Sequence, residues 1–369
     1  MSRFLKSIAF LSCLIFCTAT LVHAENELNG KYFTLKDSNN RIIARTALQV
    51  STGDEYINSS NQLYRVTKIS GTIARVKLVK NDALKVSAWS NVRAFLTALF
   101  QGEFFKTEVK QRGPIAIYHT HSDESYVQGD GVSSKKGNGG IFQIGDSLTK
   151  AFENEGVPVV HSKVPHDPHD ALAYDRSRRT AAQLLKERPT VLLDVHRDAV
   201  PRQEYAAQIR NENATKIQLV VGRQNPSFNV SNDFAKQIKA SVDKKAPGLI
   251  KGIFYGKGKY NQDLAPRAML LEIGSHTNSK SAAERGAVLF AAAAKDVLYG
   301  SAGAGNINRG GLRSSFWIIA AVLGAIGLFL LLNRRGLKDI GKEFTGAVGE
   351  DVKNEEEDPS EKHRHRDKP

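Results

Sequence analysis

A chain of 369 residues with 41% hydrophobic content can hold two ordinary domains, or one large domain with appendages, and this excludes a wholly disordered protein. Its only two cysteines, Cys13 and Cys17, lie in an apolar leader, which excludes a disulfide framework, a thiolate nucleophile and a cysteine metal site in the remainder. The formal net charge of +14 suits anionic polymers or lipid headgroups, and no motif interleaves aromatic and basic residues as a nucleic-acid partner would require.

Residues 1–24 read as a signal peptide or signal anchor. Arg3 and Lys6 precede an apolar run from Ile8 to Val22, and Val22-His23-Ala24 resembles a small-residue cleavage site. Either form sends the following chain out of the cytoplasm. Residues 25–112 read as a small β-rich module followed by a linker. Leu63 to Ile69 and Ile73 to Val79 alternate apolar with polar residues, and Val92 to Phe105 has the pattern of an amphipathic helix.

From residue 113 to 300, short apolar runs alternate with helical periods. Strands are predicted at 115–118, 157–160, 191–195, 217–221 and 268–273. Helices are predicted at 141–155, 171–187, 228–244 and 279–298. This order predicts an α/β domain, a largely parallel sheet flanked by helices. Residues 301–315 read as a Gly-rich linker. Phe316 to Leu332 is uncharged and close to the minimum of about 17 residues for a transmembrane helix. Arg334, Arg335 and Lys338 follow it, so the positive-inside rule places the charged tail 333–369 in the cytoplasm and the catalytic part outside the membrane.

Ligands of open α/β sheets gather beyond the carboxyl ends of the strands. Here those ends carry His119-Thr120-His121-Ser122-Asp123-Glu124, then Asp194-Val195-His196-Arg197-Asp198, then Leu271-Glu272-Ile273-Gly274-Ser275-His276. Imidazoles and carboxylates with one open position form the ligand set of a catalytic zinc site. His161, His166 and His169 lie in or beside a Pro- and Asp-rich loop and form a second cluster able to line the same cleft. A serine hydrolase built on Ser122 or Ser125 is the rival, but the chain has no Gly-x-Ser-x-Gly elbow.

The block from Ile117 to Tyr126 resembles the signature of the stage II sporulation protein P family of endospore-forming bacteria. Asp194 to Asp198 and Leu271 to Asn278 resemble its other blocks, and Gly53-Asp54-Glu55-Tyr56 its N-terminal β-region. The family is similar to zinc-dependent N-acetylmuramoyl-L-alanine amidases. The resemblance implies a Zn²⁺ enzyme that cleaves the amide between N-acetylmuramic acid and L-alanine in peptidoglycan, with an additional endopeptidase activity on stem peptides. It implies a role in septal or engulfment wall remodelling, in the intermembrane space of the sporulating cell. Its implied partners are peptidoglycan, the lipid bilayer, a lytic transglycosylase and a membrane scaffold protein.

Under this resemblance His121 and His196 bind zinc, with His119 a rival to His121. The related amidases carry a zinc-binding Glu on the helix after the first strand. The helix at 141–152 offers none at its start, so Glu124 is the nearest substitute, as ligand or as support to the ligands. Glu272 is the expected general base, Arg197 or His276 the expected oxyanion partner, and Asp194 and Asp198 the groups that orient the ligands. The reading from another class is a non-catalytic, membrane-anchored scaffold that binds peptidoglycan.

Overall fold

The computed structural model describes residues 30–84, 112–170 and 172–299. The chain divides into two compact units, Met1–Ala302 and Gly303–Pro369, and every described residue lies in the first. The predicted signal segment, the helix at 92–105, the linker at 301–315, the membrane span at 316–332 and the tail at 333–369 all lie outside the described residues. No helix among the described residues is long and apolar enough to cross a membrane.

Among the described residues, thirteen strands and four long helices follow in chain order. The β-rich segment holds β1 (Phe33–Lys36), β2 (Ile42–Thr46), β3 (Glu55–Asn58), β4 (Leu63–Ser70) and β5 (Ile73–Lys80). Then come β6 (Ile115–Tyr118), α1 (Ile141–Asn154), β7 (Val159–His161), α2 (Ala173–Leu184) and β8 (Val191–Asp198). The chain continues with β9 (Ala206–Ile209), β10 (Glu212–Thr215), β11 (Ile217–Gly222), α3 (Phe228–Lys245), β12 (Ile250–Gly256), β13 (Ala268–Ser275) and α4 (Lys280–Leu298).

One 11-stranded sheet runs in the order β2-β1-β5-β4-β3-β12-β11-β13-β8-β6-β7, and β9 and β10 form a separate hairpin. The stretch from β7 through β6 and β8 to β13 is parallel. β11 and β12 also pair in parallel, so the sheet of residues 113–300 is largely parallel as expected, and the departures lie at two junctions. β13 runs antiparallel to β11, and β3 joins β12 antiparallel, so the β-rich segment extends the same sheet and makes it mixed. That pairing joins residues far apart in sequence, which no local periodicity reports.

The helices form where the apolar spacing demands. Ile141, Ile144, Leu148 and Phe152 recur along one face of α1 and are buried, and Gly156 ends the turn with φ +74. α4 is lined with small residues, Ala283, Ala287, Ala291 and Ala294, which let it lie close against the sheet and α1. β8 and β13 are buried along their whole length, as strands covered on both faces must be. Leu193 and Val195 of β8 join the core under the long helices, while Leu192 faces the opposite layer with α2. Asp194 and His196, in phase with Leu192, therefore face that second layer.

Candidate metal centre

Tyr118 of β6 pairs with Asp194 of β8 in parallel, so the loop leaving β6 emerges beside the end of β8. That loop carries His121 and Glu124, and β8 carries His196. Each offers one ligand atom, and the three atoms lie within 4.8 Å of one another. Glu124 Oε1 is 3.3 Å from His121 Nδ1 and 3.5 Å from His196 Nδ1. The two imidazoles meet nearly edge to face, with centroids 5.0 Å apart at 83°. All three residues are buried.

The surroundings orient His196 and Glu124. Asp194 Oδ1 lies 2.9 Å from His196 Nε2, and the same carboxylate accepts from Thr120 N at 2.8 Å and Thr120 Oγ1 at 2.6 Å. A carboxylate on one ring nitrogen directs the lone pair of the other toward a ligand site. Glu124 Oε2 accepts from Arg197 N at 2.8 Å, which turns Oε1 toward the imidazoles. Burial opposes the charge on Glu124, but the Arg197 guanidinium and the imidazoles outweigh it and hold the carboxyl well below its usual range. Burial likewise opposes a proton on His196, and Asp194 with Glu124 overrides it and raises His196 well above its usual value. The loop itself is held by Gly139, where a Cβ would lie 2.4 Å from Glu124 O and 2.6 Å from Ser122 O.

Residues 26–295 match the profile of the stage II sporulation protein P family. The chain belongs to this sporulation family. It is 28% identical over 192 residues to stage II sporulation protein P of Bacillus subtilis (strain 168), a match covering 47% of this chain and 48% of that protein. The chain thus spans about half the length of the curated relative it matches. Among solved structures it is similar to the N-acetylmuramoyl-L-alanine amidase from Clostridium difficile 630, at 15% identity over 51% of this chain and 95% of the other. The TM-score of that match is 0.33.

The family's other expected residues fall in different places. Glu272 is buried on β13, in register with His196 of β8 and Gln218 of β11, so the three side chains stand in one row across neighbouring strands. His119 lies outside the group. Its Nδ1 donates to Val195 O at 2.8 Å and its Nε2 is 2.8 Å from His161 Nε2, on the α1 side of the sheet. Burial and the His161 imidazole push it down to about 3, so it is neutral. Arg197 donates through Nη2 to Ser133 O at 3.2 Å and keeps Nη1 3.8 Å from Glu124. Asp198 lies beyond the group, accepting from Ala47 N at 2.8 Å and Tyr205 Oη at 2.9 Å.

Of the loop histidines, only His169 reaches the group. Asp123 Oδ1 is 2.9 Å from its Nδ1, and its ring stacks on His121 with centroids 3.9 Å apart. His161 faces Asp146 at 3.2 Å, and His166 braces the loop through His119 O and Thr180 Oγ1. Sequence reasoning missed Tyr174 of α2, whose ring lies 5.7 Å from that of His121 and 6.4 Å from that of His196. An aromatic residue opening a helix just after a His-Asp loop was the available signal. A cleft of about 500 Å³ opens beside the group, with His169, Arg197, His276 and Ser134 in its wall.

Proposed function

We propose that this chain is a zinc-dependent peptidoglycan hydrolase that cleaves the amide between N-acetylmuramic acid and L-alanine, with stem-peptide cross-links as further substrates, in wall remodelling during sporulation. The observation that carries the reading is the buried convergence of His121, Glu124 and His196, with Asp194 behind one imidazole and a cleft beside it. Two nitrogens and one carboxylate oxygen, with Asp194 behind the His196 ring and Arg197 N on Glu124, are a donor set that fits zinc.

When bound there, zinc supplies a Lewis acid for the scissile carbonyl and activates water. The protein's own residues do the rest. Glu272 accepts the proton of the attacking water and returns it to the leaving amine. Asp194 holds the His196 tautomer, and Arg197 keeps Glu124 ionised. His276, in the cleft wall, steadies the developing oxyanion. Export, the anchor at 316–332, and the complex with a lytic transglycosylase and a membrane scaffold protein belong to the same proposal. They rest on the sequence pattern and the family.

The test is zinc content and peptide release together. The purified full chain should carry zinc, release stem peptides from purified peptidoglycan, stop on chelation and recover with zinc. Release that persists after complete chelation would refute the metal mechanism. A chain with neither zinc nor release, yet bound to peptidoglycan, would be the non-catalytic scaffold.

A further inference from the structure

The solvent face of the β-rich segment places like charges side by side. Lys36 of β1 is in register with Arg75 of β5, and Arg75 with Lys68 of β4, so three cations stand in one row across adjacent strands. In the next row Arg65 of β4 faces Lys77 of β5. Like charges directly opposed across strands are destabilising. The fold relieves only part of this. Glu55 lies 2.7 Å from Arg65, and Arg75 donates to Asn40 Oδ1 at 2.6 Å. Among the described residues no carboxylate pairs with Lys36, Lys68 or Lys77.

Apolar side chains are exposed on β5 and on the neighbouring strand β2. Ile42 of β2 continues the cationic row from Lys36, and Ile73 begins β5 beside Ser70 at the tip of the β4–β5 hairpin. A soluble polyanion has use for the cations but none for the isoleucines. An anionic bilayer surface has use for both, since headgroups attract the lysines while apolar side chains enter the boundary with the acyl chains.

We propose that this face of β1, β4 and β5 docks on an anionic lipid surface and so sets the distance and orientation of the metal centre relative to the membrane. The inference is independent of the metal chemistry. Lys36, Lys68 and Lys77 supply the attraction, and Ile42 and Ile73 the apolar contact.

The test uses the full chain in lipid nanodiscs, with Cys13 and Cys17 replaced by Ser and an environment-sensitive dye on Ser70→Cys. The dye emission should shift to the blue in phosphatidylglycerol-containing discs and not in discs of phosphatidylcholine alone. Lys36→Gln/Lys68→Gln/Lys77→Gln should lower the docked-to-free ratio on the order of 100-fold, from about 1 kcal/mol per lysine at an anionic surface. High salt on the unmodified face should act in the same direction, which keeps the test decisive should the triple variant melt early. An equal shift in phosphatidylcholine, a shift that survives both neutralisation and salt, or one produced only by soluble poly(glycerol phosphate) would overturn the proposal.

Discussion

Asp194→Asn isolates one charge in the candidate centre. In the native protein Asp194 Oδ1 meets both Thr120 N at 2.8 Å and His196 Nε2 at 2.9 Å, while Oδ2 accepts from Thr120 Oγ1 at 2.6 Å. Asparagine keeps an oxygen at Oδ1. Its amide then occupies the Oδ2 position, and Thr120 Oγ1 can turn its own proton to Ser177 Oγ, 2.8 Å away. Every hydrogen bond therefore survives in some form, and the fold should hold. What goes is the negative charge behind His196. Removing such support to a metal-binding imidazole weakens metal binding by about 10–100-fold, or about 1.4–2.8 kcal/mol. Asp194→Ala differs, because it leaves the buried Thr120 N without its acceptor and should cost a further 1–3 kcal/mol or so of folding stability. Zinc titration and thermal melting of the two variants separate these effects. An Asp194→Asn protein that folds normally and binds zinc as tightly as the wild type would refute the assigned orientation of His196.

Glu272→Gln keeps the shape of the proposed base without its proton affinity. It should bind zinc and peptidoglycan normally and lose about 10²–10⁴ in the rate of stem-peptide release, whereas a purely structural Glu272 would show earlier melting with near-normal turnover. His121→Ala should lose zinc while His119→Ala retains it, as metal analysis of the purified proteins will decide. The raised His196 proton affinity must be overcome by the metal, so apparent zinc affinity should rise as pH rises, about tenfold per unit for one displaced proton, until pH exceeds that raised value. Competition titrations from about pH 5 to 8 check this. An affinity flat across that range would show that no proton leaves His196.

Much of the fold was legible because apolar period and strand length report burial. The strand ending at Tyr118 and the helices α1, α3 and α4 fall within a few residues of their predicted ranges. β8 was read as ending at Val195 but runs to Asp198, because its last three residues are polar and buried together. β12 gave no strand signal, since Lys251, Gly252 and Gly256 interrupt its apolar residues. Lys251 is nevertheless buried, with Nζ donating to Arg45 O at 2.6 Å and lying 4.3 Å from the centre of the Tyr205 ring. The β9–β10 hairpin offers only Ile209 as a large apolar residue and turns through Arg210 and Asn211, both at positive φ, a turn that two non-glycine residues do not advertise.

At the site, residue types were legible and their direction was not. His119 and His121 are two apart, so a continuing strand would put both on one face. The strand instead ends at Tyr118. His119 stays beside β8 with both ring nitrogens engaged, and the loop carries His121 across to Glu124. α1 carries no carboxylate in its first turn, and the loop before it brings Glu124 to the group instead. Ile141 N donates to Glu124 O at 2.9 Å, so the start of the helix holds the loop residue by its backbone. Two candidate ligands thus come from one short segment whose position depends on Gly139, and the third from a strand buried on both faces. One side of the centre is a loop held by backbone hydrogen bonds from Gly139 and Ile141, and the other is β8, paired on both edges by β6 and β13. Rearrangement on metal binding should therefore appear at His121 and Glu124, with His196 and Asp194 remaining in place.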